Sequence, residues 1–329
     1  MEERPVPEVG PRDVLLRPLY VGICGSDLEA YHKGGYAEGT ILGHEFTAKV
    51  ADVGREVSEV QAGGYVTADS VMPCGTCRHC RRGRPSLCED LIMVGIDADG
   101  AMAEFLRMPA WTVHALPQTI DPRHGPLIDP LSNIIHAVRL STFQPGGTAA
   151  VVGTGPIGLL LTNFLKASGA AKVAAFEVNP SRLALAGKVG ADALVNPLAE
   201  NPGSVADALT DGKGFDVVFV AAGIGKAAEM AYDLVGAGGE IVIVGVIEDV
   251  ATADYLRMVL SELSLRGSYL GFNEAPQAID LMARGVIRGD VIVTNVVDGL
   301  ERVIEQVFPS LGKPDNPDGK VVVRIGGER

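Results

Sequence analysis

Aromatic side chains are scarce in this chain of 329 residues: Phe, Trp and Tyr together make up 5%, and tryptophan occurs once. Hydrophobic residues still reach 47%, so the interior falls to Val, Ile, Leu and Ala, the side chains that fill parallel α/β sheets. No apolar run approaches the ~20 residues that a membrane-spanning helix needs, and no secretory signal opens the chain. A membrane partner is therefore not expected. Positive charge is outnumbered, with 28 Lys and Arg against 41 Asp and Glu and a net charge of −13. Such a surface repels phosphate backbones and anionic lipids, and nucleic acid is not expected as a partner either. Cysteine is limited to five residues. Without an export signal these point to a cytoplasmic, reducing setting, where clustered thiols bind metal more often than they pair.

What is present divides into two characters. The length suits about two domains. Residues 13–23, DVLLRPLYVGI, read as a strand, and SDLEAYH as a short helix capped by Ser26 or Asp27. Residues 41–72 alternate apolar and polar positions between glycines, and AMAEFLRM and WTVHALP read as further short strands. PLIDPLSNIIHAVRLSTF has helical spacing. From residue 149 strands alternate with helices: AAVVG, PIGLLLTNFLKASG, KVAAFEV, SRLALAGKVG, DALVN, FDVVFVAAG, KAAEMAYDLV and EIVIVGV. That rhythm predicts a doubly wound parallel sheet covered on both faces. The tail, with helices EAPQAIDLMARG and GLERVIEQVF and strand KVVVRI, leaves the rhythm and is expected to return to the first domain.

Gly153-Thr-Gly155-Pro156-Ile157-Gly158 follows an apolar strand and opens a helix, the context that makes a G-x-G-x-x-G turn informative. The first glycine permits the turn, the second lets backbone approach a pyrophosphate, and the third lets helix and strand pack closely. Glu177 ends the next strand. Its carboxylate suits the ribose hydroxyls of a dinucleotide and would repel a 2′-phosphate, which favours NAD over NADP. Arg182, five residues on, is grouped with the cofactor contacts.

Cys74-x2-Cys77-x2-Cys80-x7-Cys88 sets four thiols on one loop. A closed tetrahedral zinc satisfies that spacing and substitutes for the core this segment lacks. A redox-active CxxC pair is the rival reading, and the evenly spaced third and fourth thiols argue against it. Arg78, Arg81, Arg82 and Arg84 would ease the accumulation of thiolate charge.

GICGSD, GHEF, the four-cysteine loop, IDPLSNIIHAV and GTGPIG stand in an order that resembles the zinc-dependent medium-chain dehydrogenases of the alcohol dehydrogenase superfamily, and among them the sorbitol and threonine dehydrogenase branch. The resemblance spans nearly the whole chain. It implies a Rossmann sheet, residues 131–270, inserted in a β-rich GroES-like catalytic domain made of residues 1–130 and 271–329. It implies two zinc ions per chain. Cys24, His44 and Glu45 match the ligands of a catalytic zinc with an open fourth position; Asp129 falls where the branch often carries glutamate and competes with Glu45 as third ligand. Ser26 matches the hydroxyl that passes a proton outward, while the outer relay falls to Glu29 or His32. Glu45, Glu104, His32 and Asp129 are candidates for binding substrate hydroxyls. The turn Gly63-Gly64-Tyr65-Val66 departs from the family's Gly-Asp-Arg-Val, and the opening hairpin of the relatives is expected to be absent.

The resemblance further implies oxidation of a secondary alcohol of polyol, sugar, cyclitol or amino-sugar type to a ketone with hydride transfer to NAD. A homodimer or homotetramer joined through the nucleotide domains is expected. Alternatives are an L-threonine 3-dehydrogenase-like activity, a metal-free reductase of the same fold, and a non-catalytic nucleotide-binding protein.

Overall fold

Strand Asp13–Gly22 organises one half of the molecule, a computed structural model that describes residues 2–34, 36–311, 313 and 315–325. Strand Glu45–Val53 pairs antiparallel along one edge of it and strand Lys320–Arg324 along the other, while Leu106–Pro109 pairs with its first half. Val293–Asp298 extends the sheet beyond Lys320–Arg324, and Tyr65–Ala68 and Val113–Ala115 extend it on the far side. Segments separated by some 300 residues of chain thus share one sheet. Inward positions of these strands, Val14, Leu16, Val21, Phe46, Ala48, Val50 and Val66, make one contiguous core.

The second sheet is parallel throughout, in the order Ala193–Val195, Lys172–Phe176, Thr148–Val152, Phe215–Val220, Val235–Ile243 and Ser264–Gly267. Its central strands are apolar on both faces because helices cover both. Helices Ile128–Leu140, Pro156–Ala167 and Ala275–Ala283 close one core. Helices Pro202–Thr210 and Gly225–Leu234 close the other. Strand Thr148–Val152 is followed in sequence by its neighbour on one side, and the chain later crosses to the other. The crevice at its carboxyl end is where such sheets bind ligands.

Three local expectations change. The helix at Gly25–Lys33 is capped by Cys24, and the Asp27 carboxylate returns to accept from the Cys24 N–H at 2.9 Å. The segment GLERVIEQVF contains a π-helical turn at Val303–Val307. Strand Ser264–Gly267 and the preceding helix Tyr255–Leu260 have no counterpart in the sequence reading; the helix is capped by Asp254, which accepts from Arg257 N–H at 2.9 Å. No described helix is long and apolar enough to cross a membrane.

Candidate active site and metal centres

The pairing of the first two strands builds the site. Gly22 stands opposite Glu45, so Cys24, two residues past Gly22, meets His44 and Glu45 at the start of the partner strand. One ligand atom from each of Cys24, His44 and Glu45 lies within 4.8 Å of the others. His44 and Glu45 are buried, at 9% and 2% exposure. Nδ1 of His44 has no hydrogen-bond partner among the described residues. A buried imidazole nitrogen left unpaired next to a thiol and a carboxylate is the donor set zinc takes, so these residues fit the ion.

Charge is concentrated here. Burial works against protonating His44, yet the Cys24 thiol, Asp27 and Asp129 raise its pKa well above the ordinary value. A zinc ion would have to displace that proton, and the affinity of the site should fall as pH falls. Asp129, in the first turn of helix Ile128–Leu140, is pushed up to about 6 by burial, with Glu45 adding to the rise and His44 opposing it. It lies outside the three-residue cluster, and the nearby Ser70 hydroxyl offsets part of the rise.

Two side chains escaped the sequence reading. Asp27 is buried, with Oδ1 3.9 Å from His44 Nδ1 and Oδ2 on the Cys24 N–H. It thereby anchors the cysteine backbone and sets a carboxylate oxygen near the histidine without bonding it. Its spacing, three residues after Cys24 at a helix start, was a readable signal. Lys320 is buried and its ammonium forms an ion pair with Oε2 of Glu45. Burial opposes its charge, but Glu45 and Cys24 more than offset that and its pKa is raised. Nothing local in the sequence announces it.

Ser26 is half-buried on the second residue of helix Gly25–Lys33, and its carbonyl accepts from the Tyr36 hydroxyl. Glu29 is engaged by Lys33 at 3.1 Å, and Lys33 also pairs with Glu248. His32 is exposed, edge-on to Tyr31. Glu104 is exposed.

The four remaining cysteines cluster on a loop bracketed by the paired strands Val71–Met72 and Ile92–Met93. Cys77 Sγ lies 3.5 Å from Cys80 Sγ and 4.0 Å from Cys88 Sγ. A tetrahedron with metal–sulfur bonds of about 2.3 Å has edges of about 3.8 Å, so the sulfurs stand at the spacing a zinc ion requires. Backbone N–H groups of Thr76 and Cys77 lower the Cys74 thiol to about 6. Burial and its bond to Cys77 push Cys80 up to about 12. Four such thiols do not ionise together without a cation among them.

At the glycine turn each position has its own reason. Gly153 has φ 90°, and a Cβ there would stand 2.8 Å from Ala222 N. A Cβ on Gly158 would stand 1.8 Å from the Gly153 carbonyl oxygen, whereas one on Gly155 would meet nothing within 4 Å. The open side of Gly155 is the approach a pyrophosphate needs, so the turn fits a dinucleotide. Gly155 caps the helix, and Pro156 and Ile157 are its first two residues. Glu177 is buried with its carboxylate turned to this loop. Oε2 accepts from Thr154 N–H at 2.9 Å, and Oε1 from Asn179 N–H at 2.9 Å and Arg182 at 3.4 Å. Glu177 therefore pins the glycine turn, a role the sequence reading did not assign.

Residues 10–118 match the alcohol dehydrogenase GroES-like domain and residues 156–284 the zinc-binding dehydrogenase family. The L-threonine 3-dehydrogenase of Rhizobium rhizogenes is 36% identical over 274 residues, covering 82% of this chain and 79% of that protein. A zinc-binding dehydrogenase from Sinorhizobium meliloti bound to NADP superposes with a TM-score of 0.88 at 32% identity, covering 97% of this chain and 94% of the other. The 2R,3R-butanediol dehydrogenase of Bacillus subtilis gives 0.89 at 28% identity, with 99% and 96% covered. With a GroES-like half, a Rossmann half and this likeness over most of its length, the chain belongs to the zinc-dependent medium-chain dehydrogenases.

Proposed function

We propose that the protein oxidises a secondary alcohol to a ketone and passes the hydride to NAD. The convergence of Cys24, His44 and Glu45 within 4.8 Å carries the reading. The site lies in the domain built on strand Asp13–Gly22, and the parallel sheet, whose core takes in helix Ala275–Ala283, is the nucleotide domain. Zinc held by this set supplies Lewis acidity toward the substrate oxygen, and NAD supplies the hydride acceptor. Cys24, His44 and Glu45 hold the ion, with Asp129 as the alternative carboxylate, and Asp27 anchors the Cys24 backbone. Ser26 takes the alcohol proton outward, past Glu29 or His32. Gly153, Gly155 and Gly158 seat the pyrophosphate at the start of helix Pro156–Ala167. Cys74, Cys77, Cys80 and Cys88 hold a second, structural zinc.

The substrate reading is a polyol, sugar, cyclitol or amino sugar. Threonine and butanediol, named for the two relatives, are both secondary alcohols flanked by a carbon that bears nitrogen or oxygen. An L-threonine 3-dehydrogenase-like activity is therefore the second reading. Formation of NADH from a panel of polyols, cyclitols, amino sugars and L-threonine tests both. A fully metallated preparation that reduces NAD with no secondary alcohol sinks the first reading and the second together.

Cofactor choice gives a separate expectation. Glu177→Ala should raise NADP use relative to NAD by at least about tenfold, the equivalent of one lost unfavourable charge contact of ~1.4 kcal/mol. Ratios of kcat/KM for the two cofactors check this, and an unmoved ratio would show that the carboxylate serves only the glycine turn.

A second copy of the chain is the partner proposed for the nucleotide domain. Edge strand Ser264–Gly267 is exposed, and beside it helix Tyr255–Leu260 leaves Leu256, Val259 and Leu260 more than two-thirds exposed. An unpaired edge flanked by apolar surface suits isologous pairing across a two-fold axis. The double variant Leu256→Asp, Leu260→Asp should run as a monomer by light scattering; a wild-type monomer at micromolar concentration would refute the assembly.

A further inference from the structure

Lys320 takes no part in the reading above, yet it is among the most deeply buried side chains, at 2% exposure. An ammonium loses its water only against a strong partner. Its partner is Oε2 of Glu45, one of the three side chains assigned to the metal. The two residues lie on strands separated by a third, Asp13–Gly22. At ordinary strand spacing that is a gap of about 9.6 Å. Gly22 stands in the middle, opposite Glu45 on one side and Val322 on the other. A Cβ on Gly22 would lie 2.5 Å from Glu45 Oε2 and 2.8 Å from Lys320 Cε. The centre strand is bare at the one position where the ammonium crosses it.

We propose that Lys320 is a positioning residue for the metal site, reaching through the slot at Gly22 to occupy one oxygen of Glu45 and leave the other for the ion. The proposal rests on the zinc reading above. With Oε2 engaged, Glu45 binds through Oε1 alone, and the fourth position stays open for substrate. Without Lys320, the two oxygens of Glu45 turn to the metal together and fill the position that substrate needs.

Cobalt exchanged into the Cys24 site, with zinc kept in the four-cysteine lobe, reads coordination directly. The wild type should show the intense visible absorption of a four-coordinate ion. Lys320→Met should lose at least about half of that intensity as the ion becomes five-coordinate. Lys320→Arg, which keeps the cation, should retain it. An unchanged spectrum in Lys320→Met overturns the proposal and leaves the ligand set standing. A wild type that binds no cobalt beside its thiolate overturns the zinc reading itself. If Lys320→Met does not fold, a crystal structure of the zinc-loaded wild type decides. One Glu45 oxygen about 2.0–2.2 Å from zinc and the other on Lys320 Nζ is the expected result. Both oxygens on zinc, or a Glu45 turned away from Lys320, overturns it.

Discussion

Cys24→Ser should lower turnover by at least about a thousandfold and leave the melting temperature near that of the wild type. A Lewis acid contributes several kcal/mol to alcohol oxidation, and each ~1.4 kcal/mol is tenfold in rate. Serine keeps the cap of helix Gly25–Lys33, because the bond there runs from the backbone N–H of residue 24 to Asp27. It does not give zinc a soft, charged ligand. Metal content should fall from two ions per chain to one. Wild-type turnover in this variant would refute the assignment of the site.

Cys77→Ser should do the reverse. Its sulfur lies within 4.0 Å of two others, and the loop that carries it has few buried apolar side chains of its own. Metal binding is then folding free energy for the loop. Losing several kcal/mol at 2–4 °C per kcal/mol should lower the melting temperature by about 10 °C or more, with aggregation. Calorimetry that returns the wild-type transition would remove the structural zinc from the account. Together the two variants separate a site that reacts from a site that holds.

Features with local causes were legible in the sequence. The glycine turn was, because strand, turn and helix are contiguous, with Gly153 and Gly158 crowded by neighbouring backbone and Gly155 open on its outer side. The cysteine loop was too, since all four sulfurs come from fifteen residues. Cys24 and the His44–Glu45 pair were not legible singly, as each has an ordinary structural explanation; their combination came from family likeness. Lys320 could not be read at all, because it meets Glu45 only through strand order and an empty position at Gly22. The edge strand Ser264–Gly267 lacks the β-branched run that marked its neighbours, and the π turn at Val303–Val307 has the same apolar spacing as an α-helix. Glu177 shows the opposite failure. It was read as a cofactor contact, whereas its bonds to Thr154 and Asn179 depend on how the turn closes.

Strand Asp13–Gly22 has a late neighbour in Lys320–Arg324, and this sets an order of events during synthesis. The nascent chain exposes Cys24, His44 and Glu45 early. The sheet edge beside them waits, unpaired, until nearly 300 further residues have left the ribosome. The four cysteines come from one short stretch and can come together while translation continues. The pocket around Cys24, His44 and Glu45 is completed only once Lys320 arrives to pair with Glu45.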